Sequence, residues 1–186
     1  MRIEWIVLAV IAAVACYVVF VFNRLIRRRN MMREAWSGID VQLRRRSDLI
    51  PNLVQVVKAY AAHERGVFED IAAKRASTFA VGGTVQKAAA EQALQGSLGR
   101  LFAVAEGYPQ LKADQNFRAL QDQLAEIEDQ LQMARRYFNG TVRDFNIGVQ
   151  SFPDVLVARA LGWHEEHFFE IDAASAAAPA VNLSGA

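Results

Sequence analysis

The sequence predicts an all-α protein: an N-terminal transmembrane helix followed by an antiparallel bundle of three to four long helices. Three observations predict it. The first is an uncharged apolar run over Trp5–Phe22, WIVLAVIAAVACYVVFVF. The second is a series of a/d-type seams, apolar residues spaced alternately three and four apart, through the rest of the chain. The third is a shortage of breakers, four prolines and eleven glycines in 186 residues, with no period-two alternation to mark strands. A 53% apolar composition further excludes a chain that is disordered throughout.

The apolar run comes first. Eighteen residues at 1.5 Å rise span about 27 Å, close to the thickness of a bilayer hydrocarbon core. A buried core helix would carry a polar stripe, and this run has none. Trp5, Tyr17 and Phe22 supply aromatic anchors for the span, with Trp5 at the interface level. A cleavable signal peptide is the competing reading. Cleavage near Ala12, Ala13 and Ala15 would leave YVVFVF at a mature terminus, which suits a secreted domain poorly. Cys16, the single cysteine, lies in AVAC and suggests a bacterial lipobox. Ala13 stands where a larger aliphatic is usual, however, and apolar residues follow the cysteine. The plainer reading is a small side chain facing lipid or core. One cysteine also excludes an internal disulfide framework and any multi-cysteine zinc site.

Charge is divided unevenly along the chain. Residues 1–46 hold nine arginines and three acids, a net +6; the remainder holds twelve basic residues and seventeen acids, a net −5. Arg24, Arg27, Arg28, Arg29 and Arg33 follow the span, whereas only Arg2 and Glu4 precede it. The positive-inside rule then places the span in a bacterial inner membrane with the C-terminal domain in the cytoplasm. A lipidated Cys16 would leave a periplasmic arrangement open. The arginines are expected to meet anionic headgroups, each worth roughly 1 kcal/mol near the surface. The span accounts for the basic half, so nucleic acid is not expected as a partner. The domain plan is an anchor over 1–23, a basic juxtamembrane segment over 24–35, a helical bundle over 36–170 and a disordered tail over 171–186.

In the first helix of the bundle, Trp36, Leu43, Ile50 and Val57 recur every seven residues, interleaved with Ile39, Leu53 and Tyr60. Arg46 holds the one charged seam position. No glycine or proline lies between Met1 and Ser37, so this helix is expected to continue from the span. Pro51 removes a backbone hydrogen bond, which predicts a kink there or a restart capped by Asp48. A second helix is expected over about Ala61–Phe79, broken by Val81-Gly82-Gly83-Thr84. Leu94, Leu98, Leu101, Ala105 and Tyr108 carry the seam onward. Residues 107–113 read as a connection, and Asp114 as the N-cap of a third helix. That helix has the strongest pattern, from Phe117 through Leu124, Leu131, Phe138 and Phe145 to Phe152, and Pro153 ends it. A short segment over Val155–Leu161 leads to Trp163 and Phe168–Phe169, expected to cap the core. No repeat of 20–50 residues appears, which argues against a solenoid.

The densest polar set is Arg44, Arg45, Arg46, Asp48 and Asn52 with Glu106, Tyr108 and Lys112, and Arg135, Arg136, Asn139, Asp144 and Asn146. One reading is an interaction groove binding a partner helix or an anionic group through arginine forks. The other, which is preferred, is a set of caps and interhelical ion pairs that fix register. His164 and His167, three apart, lack a fixed third ligand and read as a solvated helix end rather than a metal site. No P-loop, dinucleotide fingerprint, Gly-x-Ser-x-Gly or His-Glu-x-x-His pattern is present, so no catalytic residue, cofactor or metal is nominated.

Three segments carry a resemblance. FNRLIRRRNMMREAWSGIDVQLRRRSDLIPNLVQVVKAYAAHE (Phe22–Glu64), LGRLFAVAEGYPQLKADQNFRALQDQL (Leu98–Leu124) and ARRYFNGTVRDFNIGVQSFP (Ala134–Pro153) resemble, in order, the blocks of the LemA family. The chain departs where the family usually has Thr-Glu-Asn and Phe-Tyr-Asn; here stand Ile127-Glu128-Asp129 and Tyr137-Phe138-Asn139. The resemblance implies a small bacterial membrane protein with one span and a helical bundle, with no enzymatic activity established for the family as a whole. It also implies neighbours among AAA+ ATPases or proteins with a TPM-type domain, and roles in organelle or envelope organisation. The function expected is therefore a non-enzymatic membrane scaffold or adaptor, self-associating if it carries more apolar seam than one bundle buries. The alternative is a membrane-proximal sensor in which Pro51 and the juxtamembrane arginines transmit state to a partner.

Overall fold

The structure, a computed structural model, describes residues 2–170; the predicted disordered tail lies outside them. The described residues form six helices and no strand: α1 (Arg2–Tyr60), α2 (Arg65–Ala80), α3 (Thr84–Glu106), α4 (Pro109–Ala113), α5 (Gln115–Gln150) and α6 (Asp154–Ala160). They divide into two compact units, residues 2–45 with 126–168, and residues 46–125 with 169–170. Helices α1 and α5 contribute to both.

Helix α1 is one continuous helix of 59 residues, so the span and the first bundle helix are joined without a break. No restart occurs at Asp48, and Pro51 lies inside the helix. A proline inside a helix costs about 3 kcal/mol. Ile50, Leu53 and Val57 on either side of Pro51 are all buried in one core cluster, and burying such side chains returns roughly 1.5–3 kcal/mol each. Packing therefore outweighs the local penalty.

In the first unit, residues 3–20 of α1 are exposed throughout. Burial begins at Val21 and continues at Leu25, Met32, Ala35, Ile39 and Leu43, spaced three, four or seven apart on one face. Val21 and Leu25 pack with Phe145 and Val149 of α5 and with Val157 and Ala158 of α6, and Trp163 closes this cluster. Trp36 meets Phe138 with ring centroids 5.3 Å apart. The α5 seam is buried or half-buried at every expected position except its last, since Phe152 is exposed. The expected C-terminal core caps are also split: Phe169 is buried and Trp163 half-buried, whereas Phe168 is exposed.

In the second unit, Ile50, Leu53 and Val57 pack with Phe68 and Ile71 of α2, with Leu94, Leu98 and Leu101 of α3, and with Phe117 and Leu124 of α5. The break expected at Val81–Thr84 is a true one, separating α2 from α3. Gly83 has φ +82°, a left-handed conformation that favours glycine, and its carbonyl accepts from the Lys87 N–H at 3.1 Å. Ser97 and Arg100 on α3 both reach Asp70 on α2, which ties the hairpin across its polar face.

The connection before α5 contains the short helix α4. Asp114 caps α5 as expected, its Oδ1 accepting from the backbone N–H groups of Asn116 at 2.8 Å and Phe117 at 3.0 Å. The Tyr60 hydroxyl donates to Asp114 Oδ2 at 3.0 Å and ties the end of α1 to the start of α5. The Phe117 N–H, then the Tyr60 hydroxyl, hold the Asp114 carboxyl below its ordinary 3.8. The hydrogen bond to Asp114 and its negative charge raise the Tyr60 pKa above 10.0.

Two outcomes follow from this packing. Leu101, fully buried, should cost about 2–5 kcal/mol when replaced by alanine, read from the shift of the urea unfolding midpoint. The Asp114 contribution is complete above pH 3.8 and is lost as pH falls through its lowered folded value. The Tyr60 contribution is complete below pH 10.0 and is lost as pH rises through its raised value. Thermal midpoints measured against pH should show both limbs, with D114N flattening the acid one and Y60F the alkaline one.

Candidate functional site

Two polar constellations stand out, one in each unit. The first lies where α6 meets α1. Asp154, the first residue of α6, is buried, and its Oδ1 accepts from the Tyr17 hydroxyl at 2.8 Å. Its other oxygen pairs with Arg24. A buried carboxylate is costly unless it is paired and hydrogen-bonded, and this one is both. Phe22 stacks on Trp163 with centroids 5.8 Å apart, and the Arg29 guanidinium lies 6.0 Å from the same indole ring. Arg28 crosses α5 at Gly148, where an added Cβ would come within 2.5 Å of Arg28 Nη1 and 2.8 Å of Leu25 Cδ2. A side chain at this position would require the tips of Arg28 and Leu25 to move aside.

Four of the seven predicted anchor residues therefore have protein partners as well as exposed surface: Tyr17, Phe22, Arg24 and Arg29. Arg28 packs against Gly148, Arg27 is exposed, and Trp5 is exposed within the apolar run. A cavity of about 330 Å³ opens beside this cluster, lined by Tyr17, Arg24, Arg28, Ser151, Phe152 and Asp154 among others. Asp154 and Ser151 did not stand out in the sequence. A signal was available for Asp154: an acid directly after Pro153, at a helix start.

The second constellation is Arg46 with Glu91 in the other unit. Both side chains are buried, and Arg46 Nη2 donates to Glu91 Oε2. Glu91 is the partner that sequence reasoning missed. Stepping back from Leu98 and Leu94 on the α3 seam places position 91 on the same face, so its acid there answers the arginine on the α1 seam. Beside the pair, Arg75 of α2 donates through Nε to the Ser47 carbonyl at 2.8 Å.

The other members of the expected groove fall in both units and differ in burial. Arg45, Asp48, Asn52, Glu106 and Arg136 are exposed, Tyr108 packs against the core of the second unit, and Arg135 and Asn139 are half-buried. Asn146 is buried, and its amide is fully used. Its Nδ2 donates to the Glu166 carbonyl and its Oδ1 accepts from the Glu166 N–H, both at 2.9 Å. This pair of bonds pins the extended segment after α6 onto α5. His164 and His167 are exposed, and no group of three potential metal ligands occurs among the described residues.

The arrangement is that of a helical protein with, among the described residues, one helix long and apolar enough to cross a membrane, and with two buried acids, Asp154 and Glu91, each paired with an arginine. Residues 35–183 match the LemA family, and the chain belongs to it. It is 24% identical over 159 residues to Magnetosome protein MamQ of Magnetospirillum gryphiswaldense, an alignment covering 72% of this chain and 58% of that protein. The chain thus spans less than two thirds of that relative's length. It is also 24% identical over 190 residues to Magnetosome proteins MamQ 1 and MamQ 2 of Paramagnetospirillum magneticum, covering 88% of this chain and 70% of each.

The buried pair gives a direct test. Arg46→Leu leaves the Glu91 carboxylate buried without its partner and should cost about 3–5 kcal/mol. Combining it with Glu91→Leu should recover most of that loss. Unfolding midpoints of the two single variants and the double variant measure the coupling, and simple additivity would show that the two side chains do not act as a pair.

Proposed function

We propose that this chain is a non-enzymatic scaffold or adaptor of the bacterial cytoplasmic membrane, anchored by one span and acting through protein–protein contacts or self-assembly. The observation that carries this reading is the continuity of α1. The same helix presents an exposed apolar surface over residues 5–20 and a buried seam from Val21 onward. Anchor and folded part are therefore coupled by backbone hydrogen bonds rather than by a flexible linker. The arginines at 24, 27, 28 and 29 follow the apolar run, and that asymmetry directs the C-terminal part to the cytoplasm and to anionic headgroups.

The polar contacts described above support a structural role for most of the buried polar side chains. Arg46, Asp154 and Asn146 each make an ion pair or hydrogen bond inside the fold. Relatives named as magnetosome proteins support the role in organelle organisation that the family resemblance implies. By family analogy the partner is an AAA+ ATPase or a protein with a TPM-type domain, and a second copy of the chain is the other candidate.

A C-terminal green fluorescent protein fusion should fluoresce and a C-terminal alkaline phosphatase fusion should be inactive. The reverse pattern overturns the cytoplasmic orientation. Cross-linking in membranes at native expression should give species larger than a monomer, and a strictly monomeric population removes the self-assembly part. Proximity labelling from the same terminus identifies the neighbours.

A further inference from the structure

At the α5–α6 elbow, polarity is inverted relative to what water selects. Asp154 is 4% exposed, whereas Phe152 is 81%, Leu156 59% and Ile147 51% exposed. In water the acid would face out and the large apolar side chains in. The α5 seam leads into the elbow with Phe138, Phe145 and Val149 buried, and Phe152, two residues past the end of α5, stands out from the turn.

The position of the elbow along α1 is fixed by Asp154. Its carboxylate is held by Tyr17 and by Arg24, which are seven residues, or two helical turns, apart on one face. The elbow therefore lies beside residues 17–24, and residues 17–22 belong to the uncharged run. Five steps of 1.5 Å put it alongside the outermost ~8 Å of that run, the depth at which interfacial elements rest. At the same level of α1, Val18, Val19 and Phe20 are exposed as well. The apolar surface of the span thus continues onto the elbow.

We infer that the α5–α6 elbow is immersed in the bilayer interface, with Ile147, Phe152 and Leu156 against lipid acyl chains and Asp154 shielded from lipid by Tyr17 and Arg24. The inference rests on the membrane-spanning reading of α1. Charged groups at membrane depth face protein and pair with one another, as Asp154 and Arg24 do. Arg24 reaches this level from the headgroup side, its long stem allowing the charge to stay near water. The anchor is then two-part, a span and a wedge from the far end of the chain, and lipid contact couples residues more than a hundred positions apart.

The single cysteine makes the test direct. In a Cys16→Ser background, the full chain is reconstituted in phosphatidylglycerol–phosphatidylethanolamine vesicles with a spin label on a cysteine at 152, 156, 8 or 137. Phe152, Leu156, Leu8 and Tyr137 are all exposed, so the labels should leave the fold intact. Oxygen, which partitions into lipid, and a water-soluble nickel chelate are used as collision partners. The expected result is an oxygen-to-nickel ratio at 152 and 156 shifted to that of position 8 and opposite to that of position 137. Nickel access at 152 and 156 with lipid access at 8 overturns the inference and leaves the span intact. Low access to both reagents at 152 and 156 places the elbow against another protein surface and also overturns it. Nickel access at 8 removes the span itself, and the inference with it.

Discussion

The structure depends on one constraint: a single unbroken helix has to satisfy two solvents. Over residues 5–20, α1 offers apolar side chains in every direction, which suits surroundings that are apolar all round. From Val21 it offers only a stripe, which suits a helix with one packed face and one wet face. The change takes place within two turns, and no glycine or proline marks it. Everything packed against the stripe inherits its register. Leu25 sets where α5 approaches, Trp36 where Phe138 docks, and Ile50, Leu53 and Val57 where α2 and α3 close over the second unit.

Buried charges refine that register. A pair such as Arg46–Glu91 contributes little net stability, because desolvating both ions offsets most of their attraction. Its effect is felt in the alternatives. Sliding α3 by one turn would carry Glu91 out of reach and leave a buried arginine facing apolar side chains, a loss of several kcal/mol. Asp154 works the same way at the other end of the chain, since displacement of α6 would break its contacts with Tyr17 and Arg24 together. Asn146 adds a neutral version, with two amide hydrogen bonds to one peptide unit.

The features legible in the sequence were those carried by periodicity and by single-residue chemistry. The apolar run, the seams through Leu98 and Phe138, the break at Gly82–Gly83 and the cap at Asp114 all follow from local rules. Pro51 misled where a local rule met a strong core: the proline argued for a restart, and burial of Ile50, Leu53 and Val57 kept the helix whole. Phe152 misled in the opposite way, since spacing alone puts it in the seam, whereas α5 ends at Gln150 and the helical period stops two residues short of it. Partners such as Glu91 for Arg46, or Glu166 for Asn146, lie 45 and 20 residues away. One-dimensional patterns identify that such a residue needs a partner without naming it.

Gly148 bears on how the membrane-proximal contact is held. There the tips of Leu25 and Arg28 lie over the bare α5 backbone, in the space a Cβ would take. The Leu25 part of this contact, a side chain laid on a small residue of a neighbouring helix, draws on dispersion between close-packed atoms as well as on the expulsion of water. That share does not require water around it, so the α1–α5 crossing at Gly148 is a joint that a change of solvent leaves largely in place.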